Sequence, residues 1–389
     1  MNADRSSINV NALSHGAAEF LFHSTPSMSS IHPRLRCTLD RRDLRSSAAN
    51  IFPRALVPSP VSATFGCLSL ALKWEGIYLI MRQGLLWLSE QRRIFNFVRR
   101  NRLARKFASR FVAGETIDEA VKAAQELAGR GITASLDLLG ESVTVEAEAI
   151  AARDQYLQML DRMAAAGGEV NVSVKLTQMG IDISEDLCYA NMVRILDKAK
   201  ALRGFVRLDM ESSEYTQKTL DFFTRCLFET YREHCGVVIQ SALRRSEKDI
   251  DDLIAMRARV RLCKGAYLEP PDVAFPDKKD VDRNYLLLLE RLLLKGNYPG
   301  IATHDETMIE HARKVARTQG IPAERFEFQM LYGVRRDLQN RLRQAGYNMR
   351  VYIPFGTQWY PYLMRRLAER PANIAFILGN LVRESAPGR

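Results

Sequence analysis

The chain has 389 residues, 47% hydrophobic and 26% charged, an ordinary globular composition that can bury a sizeable core. Its net charge of +11 permits attraction to nucleic acid or an anionic membrane without requiring either, because an arginine-rich tail on a balanced surface gives the same sum. Six cysteines with no CxxC and six histidines with no HExxH or HxH exclude a zinc or redox site encoded by spacing, so a reduced cytoplasmic setting and no metal are expected.

Residues 1–80 mix serine, arginine and proline with short apolar words such as LVPSPVSATFGCLSLAL, and no period of 2 or 3.6 persists. This stretch is expected to be a poorly ordered extension. Its longest apolar run ends at Lys73 and Glu75, too short for a membrane span and too far along for a signal peptide, and Asp4, Glu19, Asp40 and Asp43 argue against a transit peptide. Helical patterning begins at Met81, the expected native start. Residues 81–131 read as a helical arm in which Leu85, Leu88, Phe95, Val98, Phe107 and Phe111 supply an apolar side and arginines the other. Its basic face suits a membrane surface or nucleic acid, and such a segment is more often an arm packed on its own domain. A second helix, TIDEAVKAAQELAGRG, is closed by Gly129 and Gly131.

Over 132–389 the pattern becomes regular. Eight β-rich runs start near Ile132, Val170, Phe205, Gly236, Arg259, Ile301, Phe326 and Asn348, with one helical segment between each consecutive pair. This alternation predicts an α/β fold, a closed (β/α)8 TIM-like barrel rather than an open sheet. In VNVSVKLT one parity is Asn171, Ser173, Lys175 and Thr177 and the other Val170, Val172, Val174 and Leu176. In FVRLDM, Arg207 and Asp209 oppose Val206, Leu208 and Met210. Helices outside and a polar ligand cavity inside predict that split, whereas an ordinary parallel strand is apolar on both faces.

The last unit reads VYIPFGTQWYPYLMRRLAE. Val351 and Ile353 alternate with Arg350 and Tyr352, Pro354 and Gly356 are expected to stop the strand, and Thr357 to cap the helix. Tyr362, Arg365, Arg366 and Glu369 share one flank. The two arginines can grip a carboxylate or phosphate through charge-assisted hydrogen bonds. A surface ion pair between Arg365 and Glu369, worth about 0.3–0.5 kcal/mol, explains them without any ligand and is the favoured reading of this stretch taken alone.

Barrel enzymes place their chemistry at the C-terminal strand ends. Here those ends carry Asp137, Gly140 and Glu141, then Lys175 and Thr177, Asp209 and Glu211, and Gln240. They continue with Arg261, Lys264 and Tyr267, Thr303 and His304, Gln329 and Tyr332, and Tyr352. The cations imply an anionic ligand and the tyrosines offer flat apolar faces, although acids and bases on one rim can also simply neutralise each other. No GxGxxG follows a strand, so a Rossmann-type site is not indicated, while a large anionic cofactor across the barrel mouth remains open.

The words NVSVKLTQMG, VRLDMESSEYT, VVIQSALRRS, VRLCKGAY, IATHDE, FEFQMLYG and VYIPFG followed by YLMRRLAE run in order over about residues 82 to 385. Together they resemble proline dehydrogenase, the flavin-dependent family of proline catabolism. The direct run KGAYLEPPDVAFPDKKDVDRNY, with no aldehyde dehydrogenase region, resembles the short single-activity members. The resemblance implies a distorted barrel holding FAD non-covalently, with L-proline between the flavin and the last helix. It also implies hydride transfer that yields 1-pyrroline-5-carboxylate, with electrons passed to a membrane quinone. Catalytic roles fall on Arg261, Asp209 and Lys175. Proline would meet Lys175, Tyr352, Arg365, Arg366 and Leu331, with Glu369 orienting the arginine pair. The flavin would meet Met210 through its backbone, Gln240, Arg261, Lys264, Tyr267, Thr303 and His304. Cys263 stands where the family more often has valine. A cytoplasmic protein in peripheral contact with the inner face of the membrane is expected, and no nucleic-acid partner. The residues alone leave two other readings open, a Schiff-base aldolase or lyase using Lys175 or Lys264 and a non-enzymatic basic binding protein.

Overall fold

The computed structural model describes residues 108–369, with side chains of the final helix described to Met364. The extension 1–80, the start at Met81 and the basic stretch preceding Ala108 lie outside the described residues.

Eight parallel strands close into a barrel in sequence order. They are β1 (Thr133–Leu138), β2 (Asn171–Val174), β3 (Phe205–Leu208), β4 (Cys235–Gln240), β5 (Arg259–Cys263), β6 (Gly300–Ala302), β7 (Glu327–Leu331) and β8 (Asn348–Phe355). Every expected strand is present, each starting within one residue of its sequence signal. The helices are α1 (Ile117–Ala128), α2 (Glu146–Ala165), α3 (Glu185–Ala201), α4 (Ser213–Phe222), α5 (Phe228–Tyr231), α6 (Ser246–Ala255), α7 (Lys278–Lys295), α8 (Glu306–Thr318), α9 (Arg336–Gln344) and α10 (Trp359–Glu369). A π-helical turn over Phe223–Leu227 joins α4 to α5. No helix of the described residues is long and apolar enough to cross a membrane.

Local chemistry sets the entry to the barrel. Thr116 and Glu119 form a reciprocal capping box at the start of α1, where Asp118 and Glu119 also complement the helix dipole. Gly131, at φ +70°, turns the chain into β1. The outward parity of the strands, including Val172, Val174, Leu208, Val237, Leu262 and Ile353, is fully or almost fully buried beneath the helices. Burying each such side chain contributes about 1.5–3 kcal/mol. Closure falls to β8, which pairs with β1 from Thr133↔Arg350 to Leu138↔Phe355 and with β7 from Glu327↔Asn348 to Leu331↔Tyr352.

Two local expectations are corrected. Pro354 does not stop β8, which runs through it to Phe355. Its missing N–H faces the side where β7 has already ended, and its carbonyl accepts from Ala113 N–H at 3.0 Å, so no ladder bond is lost. Thr357 does not directly precede the helix either, because Gly356 (φ +119°) leads into a turn over Thr357 and Gln358 and α10 opens at Trp359.

The inward polar parity does not face a ligand cavity along its whole length. Toward the N-terminal ends of the strands, Arg350 donates to Glu327 (2.8 and 3.0 Å) and Glu169 (2.9 Å), and Arg207 donates to the carbonyl of Arg259 at 2.6 Å. The guanidiniums of Arg207 and Arg259 lie 4.7 and 4.4 Å from the centre of the Phe205 ring. Gly236 makes the crossing feasible, since a Cβ there would stand 2.6 Å from Arg207 Nη1. This ionic floor closes the barrel below the site.

Candidate active site

Above the floor the inward side chains converge across the barrel. Arg261, 6% exposed, donates from Nε to Gln329 Oε1 at 2.5 Å, from Nη1 to Asp209 Oδ1 at 2.7 Å, and to Ser173 Oγ at 3.2 Å. The second Asp209 oxygen accepts from the Tyr352 hydroxyl at 2.7 Å. One carboxylate therefore fixes both the cation and the aromatic ring, which lie 5.2 Å apart.

Beside them Lys175 Nζ donates to Asp137 Oδ1 at 2.8 Å. Burial alone would lower the Lys175 pKa, but the carboxylates of Asp137 and Asp209 outweigh it and hold the ammonium well above its ordinary range. Lys175 is thus an ion-paired cation at the base of the site. Burial pushes the Asp137 carboxyl up against the pull of Lys175. Burial and the same two carboxylates carry the Tyr352 phenol well above its usual value, so it remains a hydrogen-bond donor.

These groups form the base of a cavity of about 1530 Å³ at the C-terminal mouth of the barrel. Lys175, Asp209, Met210, Gln240, Arg261, Lys264, Tyr267, Thr303, His304, Leu331 and Tyr352 all line it. The structure thereby brings together every expected site residue whose side chain it describes. Arg365 and Arg366 lie on α10, and their side chains, like that of Glu369, are outside the described residues. Tyr362, one turn earlier on that helix, does line the cavity.

The upper wall is held from behind. His304 Nε2 accepts the Leu331 N–H at 2.9 Å, which puts the imidazole proton on Nδ1. Lys264 sits between the carboxylates of Asp282 (2.7 Å) and Asp305 (3.2 Å), which hold it as an ion-paired cation at the cavity wall. Gly265, at φ +105°, lies where a Cβ would approach Gln240 Oε1 to 2.7 Å, and it keeps this flank of the cavity open.

The expected roles omit several residues that the geometry makes central. Asp137 and Gln329 were visible as polar strand ends but carried no role. Glu327 was not singled out at all, although Glu327 and Gln329 share a parity in FEFQML and that alternation was the signal.

A cavity larger than the roughly 300–1,000 Å³ of most small-molecule sites, with cations, flat apolar walls and a buried polar base, suits a large anionic cofactor plus a small charged substrate. The donor set of Arg261, Lys264, Gln240 and Thr303 fits FAD, whose diphosphate needs cations and whose ring system needs oriented hydrogen bonds.

Comparison with known proteins converges on one family. The proline dehydrogenase family profile matches residues 120–378. The chain is 43% identical to proline dehydrogenase 2 of Bacillus subtilis over 289 residues, covering 73% of this chain and 95% of that protein. It is 42% identical to the proline dehydrogenase of Deinococcus radiodurans over 307 residues, covering 78% of this chain and 98% of that protein. Among solved structures it resembles proline utilization A from Bdellovibrio bacteriovorus inactivated by N-propargylglycine, with TM-score 0.65 and 27% identity. That match covers 73% of this chain, which spans only 34% of the longer one. With a matched profile over most of the barrel and relatives aligned nearly end to end, the chain belongs to the proline dehydrogenase family and is a proline-oxidising enzyme of the first step of proline catabolism.

Proposed function

We propose that the mouth of the barrel binds FAD non-covalently beside L-proline and converts proline to 1-pyrroline-5-carboxylate. The observation that carries this reading is the convergence on one cavity of about 1530 Å³ of every expected site residue whose side chain is described.

Arg365 and Arg366 hold the proline carboxylate, each charge-assisted hydrogen bond contributing about 1.5–3 kcal/mol. Leu331 and Tyr352 wall the ring, and Asp209 fixes Tyr352 through its hydroxyl. Substrate thus enters a preset orientation, which supplies much of the rate. FAD, when bound, supplies the two-electron acceptor for the hydride that leaves the carbon beside nitrogen. That departure requires the unprotonated amine, whose lone pair forms the C=N bond, and the proton left on the resulting iminium nitrogen is then released to solvent to give the imine. Lys175, kept charged by Asp137, disfavours a second cation nearby and so favours the neutral amine. Gln240, Arg261, Lys264, Tyr267, Thr303, His304 and the Met210 backbone hold the cofactor. A membrane quinone reached by peripheral contact is the final acceptor in this reading.

Replacing Arg365 or Arg366 by Ala tests the carboxylate role by steady-state kinetics. The KM for proline should rise by about 10–100-fold, and unchanged saturation would refute the assignment.

A further inference from the structure

We propose that Gln329 is a positioning residue for this reaction, its amide wedged between Arg261 and Glu327 so as to fix the direction in which the Arg261 guanidinium meets the cavity. The amide has only one workable orientation. Its Oε1 accepts from Arg261 Nε at 2.5 Å, and its Nε2 donates to Glu327 Oε1 at 2.5 Å. A guanidinium only donates and a carboxylate only accepts, so a flipped amide would lose both bonds.

Everything behind Gln329 is fixed. Glu327, 3% exposed, is held by Arg350 at 2.8 and 3.0 Å and by the Tyr298 hydroxyl at 3.3 Å. Burial alone would raise its pKa, but Arg350 and the bonds from Arg350 and Gln329 pull it down to about 2, so it stays an anion. Gly300 on the adjacent strand clears the space, because a Cβ there would collide with Gln329 Nε2. In front, Arg261 has Gln329 on its Nε and Asp209 and Ser173 on its terminal nitrogens. Two anchors on different edges define the guanidinium plane, and without Gln329 that plane can swing about its remaining contacts. Asp209 and Tyr352 keep their own bond, so the proline wall survives. The loss therefore falls on kcat more than on KM.

This inference rests on the reading of Arg261 as a cofactor-facing group, and its test separates the two. The full-length protein is assayed with proline and a soluble dye acceptor as Arg261→Met, Gln329→Met and the double variant. Gln329→Met should lower kcat about 10–100-fold with KM changed less than about threefold, and the double variant should be no slower than Arg261→Met. Additive losses, or a Gln329→Met enzyme as fast as wild type, overturn the positioning role while leaving the cofactor reading intact. A fully active Arg261→Met enzyme overturns both.

Gln329→Glu provides an answer if the methionine variant does not fold. The new carboxyl and Glu327 would share one proton, which preserves a donor and an acceptor at low pH and is lost as pH rises. The kcat of Gln329→Glu relative to wild type should fall about tenfold between about pH 6 and pH 9. A ratio that stays constant over that range contradicts the proposal.

Discussion

The floor and the mouth of this barrel are built from the same residue types and do different things. At the floor, Arg350 pairs with Glu327 and Glu169, while Arg207 and Arg259 lie against Phe205, each with a buried Nε that has no hydrogen-bond partner. At the mouth, Asp137, Lys175, Asp209, Arg261 and Tyr352 are paired just as closely, yet they form one side of a large cavity. Pairing among charges therefore does not distinguish a structural cluster from a reactive one. The distinction lies in what the paired groups face. Breaking a pair in the closed floor should cost stability, whereas breaking one at the mouth should cost turnover.

The largest expected effect is at the floor. Arg350→Met leaves Glu327 buried without its main partner and should destabilise the fold by about 3–5 kcal/mol in urea titrations. A loss under about 1 kcal/mol would erase the contrast between the two ends.

Acid should attack the same pair. The Glu327 carboxyl lies at about 2 against an ordinary 4.5, so the folded state holds the anion more tightly than the unfolded chain. Its stabilisation is complete above pH 4.5, drains as pH falls toward 2, and amounts to about 3 kcal/mol. Unfolding free energy measured across that window should show the drop in wild type and lack it in Arg350→Met.

At the mouth, Asp209→Asn removes the charge shared by Arg261 and Tyr352. It should lower kcat/KM about 30–100-fold, equivalent to about 2–3 kcal/mol, while changing stability by about 1 kcal/mol. The smallest effect is expected for Tyr352→Phe, which loses the bond to Asp209 and keeps the ring. The KM for proline should rise about fivefold, or about 1 kcal/mol.

The architecture was legible because each strand carries a period of two and each intervening segment a helical pattern, signals that need no tertiary information. The strand-end chemistry was legible for the same reason, since parity and position place Lys175, Asp209 and Arg261 inward at the rim. What parity could not do was divide the inward polar residues between floor and mouth. Arg350 and Tyr352 stand two residues apart on one face of β8, and one joins the ion cluster below while the other lines the cavity. That division depends on which side chains cross from distant strands, as when Arg261 of β5 reaches Ser173 of β2 and Gln329 of β7. Pro354 was misread because its effect depends on where the neighbouring strand stops, a fact absent from its own segment.

One spectrum tests the mouth of the barrel as the site of proline oxidation. Purified protein, or protein reconstituted with FAD, should show oxidised-flavin absorbance that L-proline bleaches under anaerobic conditions. A protein that cannot be loaded with FAD, or whose flavin bands are unmoved by proline, would contradict the assignment of the mouth as the site of proline oxidation.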